Sequence, residues 1–228
     1  MIQREEGIAP SRKWLFISMI ILLSANLFAQ IPEDYAGKPY SLYPVYESIQ
    51  SIPGKIELAW YDLGGEGIAF HDSDAENQST LLSHSRGVPP GVPDSIPFFR
   101  ETEGVDISYI KYWVDYQRPN LVIPDLFQQY IGWQEDGEWT NYTIDVKVAG
   151  KYKIAALYSN QDNLSSLWIN NKFATNITLP EDTGYWHIWN KGLVGEITFT
   201  NKGLNLLTLK YNAGANMAYL DFILVEAL

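Results

Sequence analysis

The sequence predicts an all-β chain folded as an antiparallel β-sandwich. From Pro53 to the C-terminus, short strand-like runs alternate with turn residues, and no long stretch after residue 29 has helical periodicity. The predicted strands are Lys55–Tyr61, Thr140–Val148, Lys151–Tyr158, Ser166–Ile169, Glu196–Thr200, Leu206–Tyr211 and Ala218–Val225. Thr140–Val148 alternates best, with Tyr142, Ile144, Val146 and Val148 on one face. Ala149-Gly150, Asn170-Asn171 and Asn201-Lys202-Gly203 read as hairpin turns. Many short strands at this spacing favour two packed sheets.

A length of 228 residues suits one large domain, or one ordinary domain with appendages. Hydrophobic residues make up 46% and charged residues 19%, enough apolar content to build a core. Lys and Arg total 16 against 27 Asp and Glu, a formal charge of −11 that repels phosphate backbones and argues against a nucleic-acid partner. With 8 Trp and 15 Tyr the chain is rich in large rings, some of which are expected to face a ligand. Cys is absent, which excludes disulfides, thiolate metal sites and cysteine nucleophiles.

Residues 1–29 read as a signal peptide. Arg12 and Lys13 precede an apolar run from Trp14 to Ala29, shorter than a bilayer span and ending on a small residue. The expected location is therefore secreted or periplasmic, without membrane insertion after cleavage. Residues 30–52, with Pro32, Gly37, Pro39 and Pro44, read as a linker or extended lead-in, and 53–228 as the β-sandwich domain. Two irregular inserts interrupt it. Residues 79–99 carry Pro89, Pro90, Pro93 and Pro97, and residues 108–130 carry Tyr109, Tyr112, Trp113, Tyr116 and Tyr130.

Catalytic chemistry finds little support. Glu135, Asp136 and Glu138 share one short turn, where like charges reflect solvent exposure more simply than a glycosidase pair. His71, His84 and His187 have no spacing typical of a metal site or a triad. The Gly64-Gly65-Glu66-Gly67 run lacks the strand and helix of a nucleotide loop. Asp72-Ser73-Asp74 has the spacing of a calcium-loop fragment without its Gly and Glu, and reads as a solvated acidic turn.

Taken in order, the segments PGKIE (53–57), YDLGGEGIAFHD (61–72), FRETEGVDI (99–107), IGWQEDGEWTNYT (131–143), TGYWHIW (183–189) and NAGANMAYLDF (212–222) resemble carbohydrate-binding modules of family 6. The resemblance implies a jelly-roll sandwich that binds polysaccharide and works beside a glycan-degrading enzyme. It implies a loop-end site with Trp133 as one aromatic wall, Trp186 as the other and Asn216 as a polar floor. Glu101 is the acidic contributor in this scheme, with Glu103 fitting almost as well. Tyr185 and Trp189 compete with Trp186 for the second wall, and Asn216 has the alternative of capping a turn. Trp139 and Trp189 fall where the resemblance implies core rings.

The resemblance also implies a structural calcium between the first and last strands. Ala59 and Ala218 stand where acidic or amide ligands are expected, leaving Glu57 alone, so the ion is expected to be missing or weak. No other cofactor is expected. The reading is a non-catalytic module that binds a polysaccharide or oligosaccharide through aromatic stacking. Its alternatives are a structural or adhesion sandwich without glycan binding and, behind that, a small glycosidase or lyase.

Overall fold

The alternation that predicts a strand from Thr140 places Tyr142, Ile144 and Val146 in the core of the computed structural model, and Asn141, Thr143 and Asp145 on the opposite face of the same strand. The structure describes residues 31–41, 49–81, 90–91, 99–160, 164–212 and 214–228. The signal-peptide reading of 1–29 and most of the 79–99 insert lie outside the described residues.

The strands are β1 (Gln50–Ile52), β2 (Gly54–Glu57), β3 (Phe70–His71), β4 (Ile107–Tyr109), β5 (Gln129–Ile131), β6 (Trp139–Val146), β7 (Gly150–Ser159), β8 (Leu164–Ile169), β9 (Lys172–Thr178), β10 (Trp189–Phe199), β11 (Gly203–Lys210) and β12 (Asn216–Ala227). They form two sheets of six. One has the order β1-β6-β11-β8-β9, with β3 also on β6; the other is β10-β7-β12-β5-β4, with β2 also on β12. Every pairing is antiparallel except β1 with β6. This is the β-sandwich that the sequence predicts. Its core fills with Ile56, Tyr142, Ile154, Tyr158, Leu207, Met217, Leu220 and Phe222 from both sheets.

Several elements depart from the sequence reading. The strand predicted at Lys55–Tyr61 stops at Glu57 and closes into a 3-10 turn over Leu58–Trp60. The lead-in supplies β1, and Lys38 pairs with Leu63 through two backbone hydrogen bonds of 2.8 and 2.7 Å. Strand β9, an edge strand with mostly exposed side chains, has no apolar alternation to reveal it. The 108–130 insert is a long excursion between the paired strands β4 and β5. It contains a π-helical turn, Tyr112–Tyr116, and packs Tyr116 and Val122 against a second cluster made by Ile110, Tyr130, Leu157, Trp189, Ala218 and Tyr219.

One flank of the sandwich is acidic. Ser73 donates to Glu138 through its backbone N–H (3.0 Å) and its hydroxyl (2.8 Å), Asp74 N–H donates to Asp72 (2.9 Å), and Gln78 N–H donates to Asp106. Burial pushes Asp106 up to about 7, with the charges of Asp72, Asp74 and Glu138 adding to it against the Gln78 hydrogen bond. Burial likewise pushes Asp72 up to about 6. Both lie above the unfolded value of about 3.9. Between about pH 4 and 7 the folded chain therefore holds protons that the unfolded chain has released, and stability rises as pH falls through that window. Tm is expected to be higher at pH 5.5 than at 7.5, and Asp106→Asn should flatten that difference. A Tm that drops on acidification over this range contradicts the assignment.

Candidate functional site

The site is built where several strands end together. Strand β5 runs out at Ile131, and the chain turns through Gly132 and Trp133; β7 ends at Ser159, β10 begins at Trp189, and β12 begins at Asn216. Asn216 pairs with Ser159 across the β12–β7 ladder, which brings the loop before β10 over both. The Ser159 hydroxyl donates to the Trp186 carbonyl at 2.5 Å, and Asn216 Nδ2 donates to the same carbonyl at 2.7 Å and to Ser159 Oγ at 3.1 Å. Asn160 N–H adds a bond of 2.6 Å to Thr183 Oγ1. The loop 183–188 is thus pinned through the Trp186 carbonyl and the Thr183 hydroxyl, which leaves the Tyr185 and Trp186 side chains exposed.

A cleft of about 300 Å³ results, lined by Trp133, Tyr185, Trp186, His187 and Asn216. Trp133 and Trp186 are each 43% exposed, whereas Asn216 is 4% exposed. Two half-bare rings over a buried amide fit a flat ligand with apolar faces and polar edges. Trp133 sits in the left-handed region with φ 48°, a conformation that costs a bulky residue on the order of 1–2 kcal/mol. Gly132 is needed beside it, because a Cβ there would meet Asn216 Oδ1 at 2.5 Å.

Trp133, Trp186 and Asn216, the residues implied by the resemblance, are brought together. Glu101 is not. It is exposed and does not line this cleft, while Glu103 accepts from Tyr61 OH (3.0 Å), Arg100 Nε (3.0 Å) and Arg100 Nη2 (2.8 Å) as a clamp on the neighbouring loop. Asn216 caps the 183–188 loop through its amide nitrogen, and its oxygen accepts no hydrogen bond among the described residues. Of the competing rings, Tyr185 lines the cleft beside Trp186, and Trp189 is fully buried.

Sequence reasoning missed His187 and the residue behind it. His187 Nδ1 lies 2.7 Å from Asp115 Oδ1, which also accepts from Trp189 Nε1 at 3.1 Å; Asp115 Oδ2 accepts from Lys111 N–H at 2.9 Å. Asp115 belongs to the π-helical turn and is fully buried. Arg118, also from the insert, places its guanidinium 5.2 Å from the Tyr185 ring. The insert therefore backs two of the five residues that line the cleft. Separated in sequence from His187, Asp115 gave no signal that spacing could reveal.

Trp139 corrects an expectation. It lies on the outer face of β6, half-buried, with its ring tilted against His71, because the alternation that turns Tyr142 inward turns residue 139 outward. The calcium implied by the resemblance meets a set of residues that does not fit it. Glu57 accepts from Gln128 Nε2 at 2.7 Å, Ala59 and Ala218 bring buried methyl groups, and no group of three or more His, Cys, Asp or Glu able to hold a metal occurs among the described residues. A neutral amide is the hydrogen-bond partner of Glu57, with the charge of Asp125 nearby. Also among the described residues, no helix is long and apolar enough to cross a membrane.

The sequence matches no family model and no curated protein. Its fold is similar to solved carbohydrate-binding modules of family 6. One, from Clostridium stercorarium and solved with cellobiose, is 12% identical over 79% of this chain and 100% of its own, with a TM-score of 0.49. Another, from a Cellvibrio mixtus lichenase and solved with cellotriose, is 20% identical over 42% of this chain and 78% of its own, with a TM-score of 0.37. The C-terminal module of a Zobellia galactanivorans laminarinase is 17% identical over 42% of this chain and 79% of its own, with a TM-score of 0.37.

Burial separates the Trp residues energetically. Trp189→Ala empties a fully buried site and also takes one of three donors from the Asp115 carboxylate, so a loss of about 3–5 kcal/mol is expected. Trp139→Ala is expected to cost clearly less, and equal losses in denaturant titration would contradict the outer-face placement. Addition of EDTA is expected to leave Tm unchanged, and a drop reversed by Ca²⁺ would show that a site had been missed.

Proposed function

We propose that the protein is an exported, non-catalytic glycan-binding module that holds a polysaccharide or oligosaccharide chain end or segment in the cleft between Trp133 and Trp186. The observation that carries this reading is the juxtaposition of two half-exposed indoles over one buried, pre-positioned amide. Pyranose rings present apolar C–H faces to stack and hydroxyl edges to hydrogen-bond, and this cleft offers one partner for each. The left-handed backbone at Trp133 adds weight, since strain of this kind is kept where it serves a site.

The same cleft argues against glycoside hydrolysis. That reaction needs two carboxyl groups flanking the scissile bond, and no carboxylate is among the described residues lining the cleft. Glu138 is buried and accepts from Ser73 and from Glu135 N–H (2.9 Å), so it serves as a brace for its own turn. A separate glycan-degrading enzyme acting on the same polymer is the second partner that this reading implies.

Isothermal titration against soluble xylan, β-glucan, mannan and agar tests the proposal. Binding to at least one is expected, and silence across the panel sinks it. Each stacking ring removes apolar area worth about 25 cal/mol per Å², so its loss should weaken binding about tenfold or more. Trp186→Ala and Trp133→Asn are the variants of choice, because Asn tolerates the left-handed backbone that Trp133 occupies. Both are expected to lose affinity while Tm holds. A variant that unfolds, or that binds as well as the parent, removes that ring from the site.

A further inference from the structure

The polar groups of the cleft have a definite hydrogen-bonding sense. Asn216 Nδ2 spends its protons on the Trp186 carbonyl and on Ser159 Oγ, and a carbonyl can only accept, so the orientation of the carboxamide is fixed. What remains of Asn216 is Oδ1, an acceptor with no donor among the described residues. His187 is fixed by a similar argument. Both oxygens of Asp115 already accept from groups that can only donate, the Trp189 indole N–H and the Lys111 backbone N–H. As a carboxylate whose oxygens both accept from fixed donors, Asp115 takes His187 Nδ1–H as a further donor. With the proton of a neutral imidazole placed on Nδ1, Nε2 carries the lone pair, and it has no partner among the described residues.

We propose, building on the glycan-binding reading, that Asp115 is a positioning residue that sets the ligand class of the cleft. By holding the proton on His187 Nδ1 it leaves His187 Nε2 and Asn216 Oδ1 as two acceptors, so the sugar bound there is neutral and unsubstituted, with hydroxyls that donate to both. A carboxylate or sulfate brought to the same place has only acceptor oxygens, which meet lone pairs. It also carries its charge toward a chain whose formal charge is already −11. The indole edges of Trp133 and Trp186 and the Tyr185 hydroxyl can still donate from the walls. Arg118 lies over Tyr185 with its Nε tied to Val114 O at 3.0 Å, and it does not line the cleft. The discrimination therefore belongs to His187 and Asn216.

Two measurements on the intact protein test this, one of which needs no ligand. Long-range ¹H–¹⁵N NMR at pH 8 reads the tautomer of His187 directly; the Nδ1–H form is expected, and the Nε2–H form overturns the proposal whatever the protein binds. The second measurement is titration with hexasaccharides of β-1,4-glucan, β-1,3-glucan and β-1,4-mannan, each beside its C6-oxidised uronate form, at 0.15 M salt. The neutral member of at least one pair is expected to bind at least tenfold more tightly than its uronate. A uronate that binds as well as its neutral partner overturns the ligand class and leaves the glycan reading standing. Silence from every sugar overturns both, and the tautomer signal then shows that the pair is built as described without serving a glycan.

Variants separate positioning from simple structural support. Asp115→Asn should shift His187 toward the Nε2–H form, weaken the neutral sugar about tenfold and narrow the neutral-to-uronate ratio. Because replacing the fully buried Asp115 also tests folding, His187→Phe is the companion. It keeps a ring against Tyr185, 5.5 Å away, and removes the acceptor. It should weaken the neutral sugar about tenfold and leave the uronate unchanged. An unchanged neutral affinity in His187→Phe overturns the proposal.

Discussion

A carboxylate with no solvent must be given donors from the protein, and Asp115 takes them from three places. Lys111 N–H lies on its own turn, the Trp189 indole opens β10, and the His187 imidazole comes from the loop that walls the cleft. The insert is thereby fastened to the sandwich at the point where the site is made. The rest of the contact follows the same line. Asn120 Oδ1 accepts from Trp189 N–H at 2.8 Å, and the Trp189 carbonyl accepts from Leu121 and Val122 at 2.9 and 3.1 Å. Both backbone groups of a strand-opening residue are thus satisfied by the insert rather than by water. Lys111 completes the arrangement. Its ammonium, buried and bonded to Ser108 Oγ and Tyr109 O, is pushed down in pKa by burial and supported by the Asp115 charge. Removing Asp115 would leave that cation uncompensated.

Legibility in the sequence tracks the period of the side chains. The central strands β6, β7, β11 and β12 were readable because one face is apolar at every second residue or the run is apolar throughout. Strand β9 was not, since as an edge strand it buries little beyond Ile177. β4 and β5 were hidden inside a stretch dominated by tyrosines, although each is only three residues long and they pair with each other. The walls Trp133 and Trp186 and the floor Asn216 were legible through the order of short segments in the chain, whereas composition alone would have offered eight Trp without ranking them. His187 and Asp115 were illegible for a different reason. Their relation is made by the path of the insert, and no local rule places residue 115 behind residue 187.

Trp139 takes its face from the alternation of its own strand. A period of two assigns faces as soon as one residue is placed, and Tyr142 inward requires Trp139 outward. Resemblance had put a ring in the core that the alternation of its own strand puts on the surface. Where the two warrants conflict, geometry within the strand decides, because a single-residue slip would turn Tyr142, Ile144 and Val146 out of the core as well.

The insert also acts at its far end, where it fastens the edge of the domain. Gln128 donates to Glu57 at 2.7 Å, and Gln129 Oε1 accepts from Trp60 Nε1 at 3.1 Å, so the return from the insert grips the end of β2 and the turn after it. Gln50 holds Glu57 from the other side, its Oε1 accepting from Glu57 N–H at 2.7 Å. β2 is paired to β12, which also carries Asn216 at its start. A cation at this junction would need several oxygen ligands and would couple folding to its concentration. Amides and buried methyl groups meet at this junction. The segment that fastens β2 is then continuous with the one that bonds His187, so the back of the cleft and the hold on β2 rest on a single piece of chain.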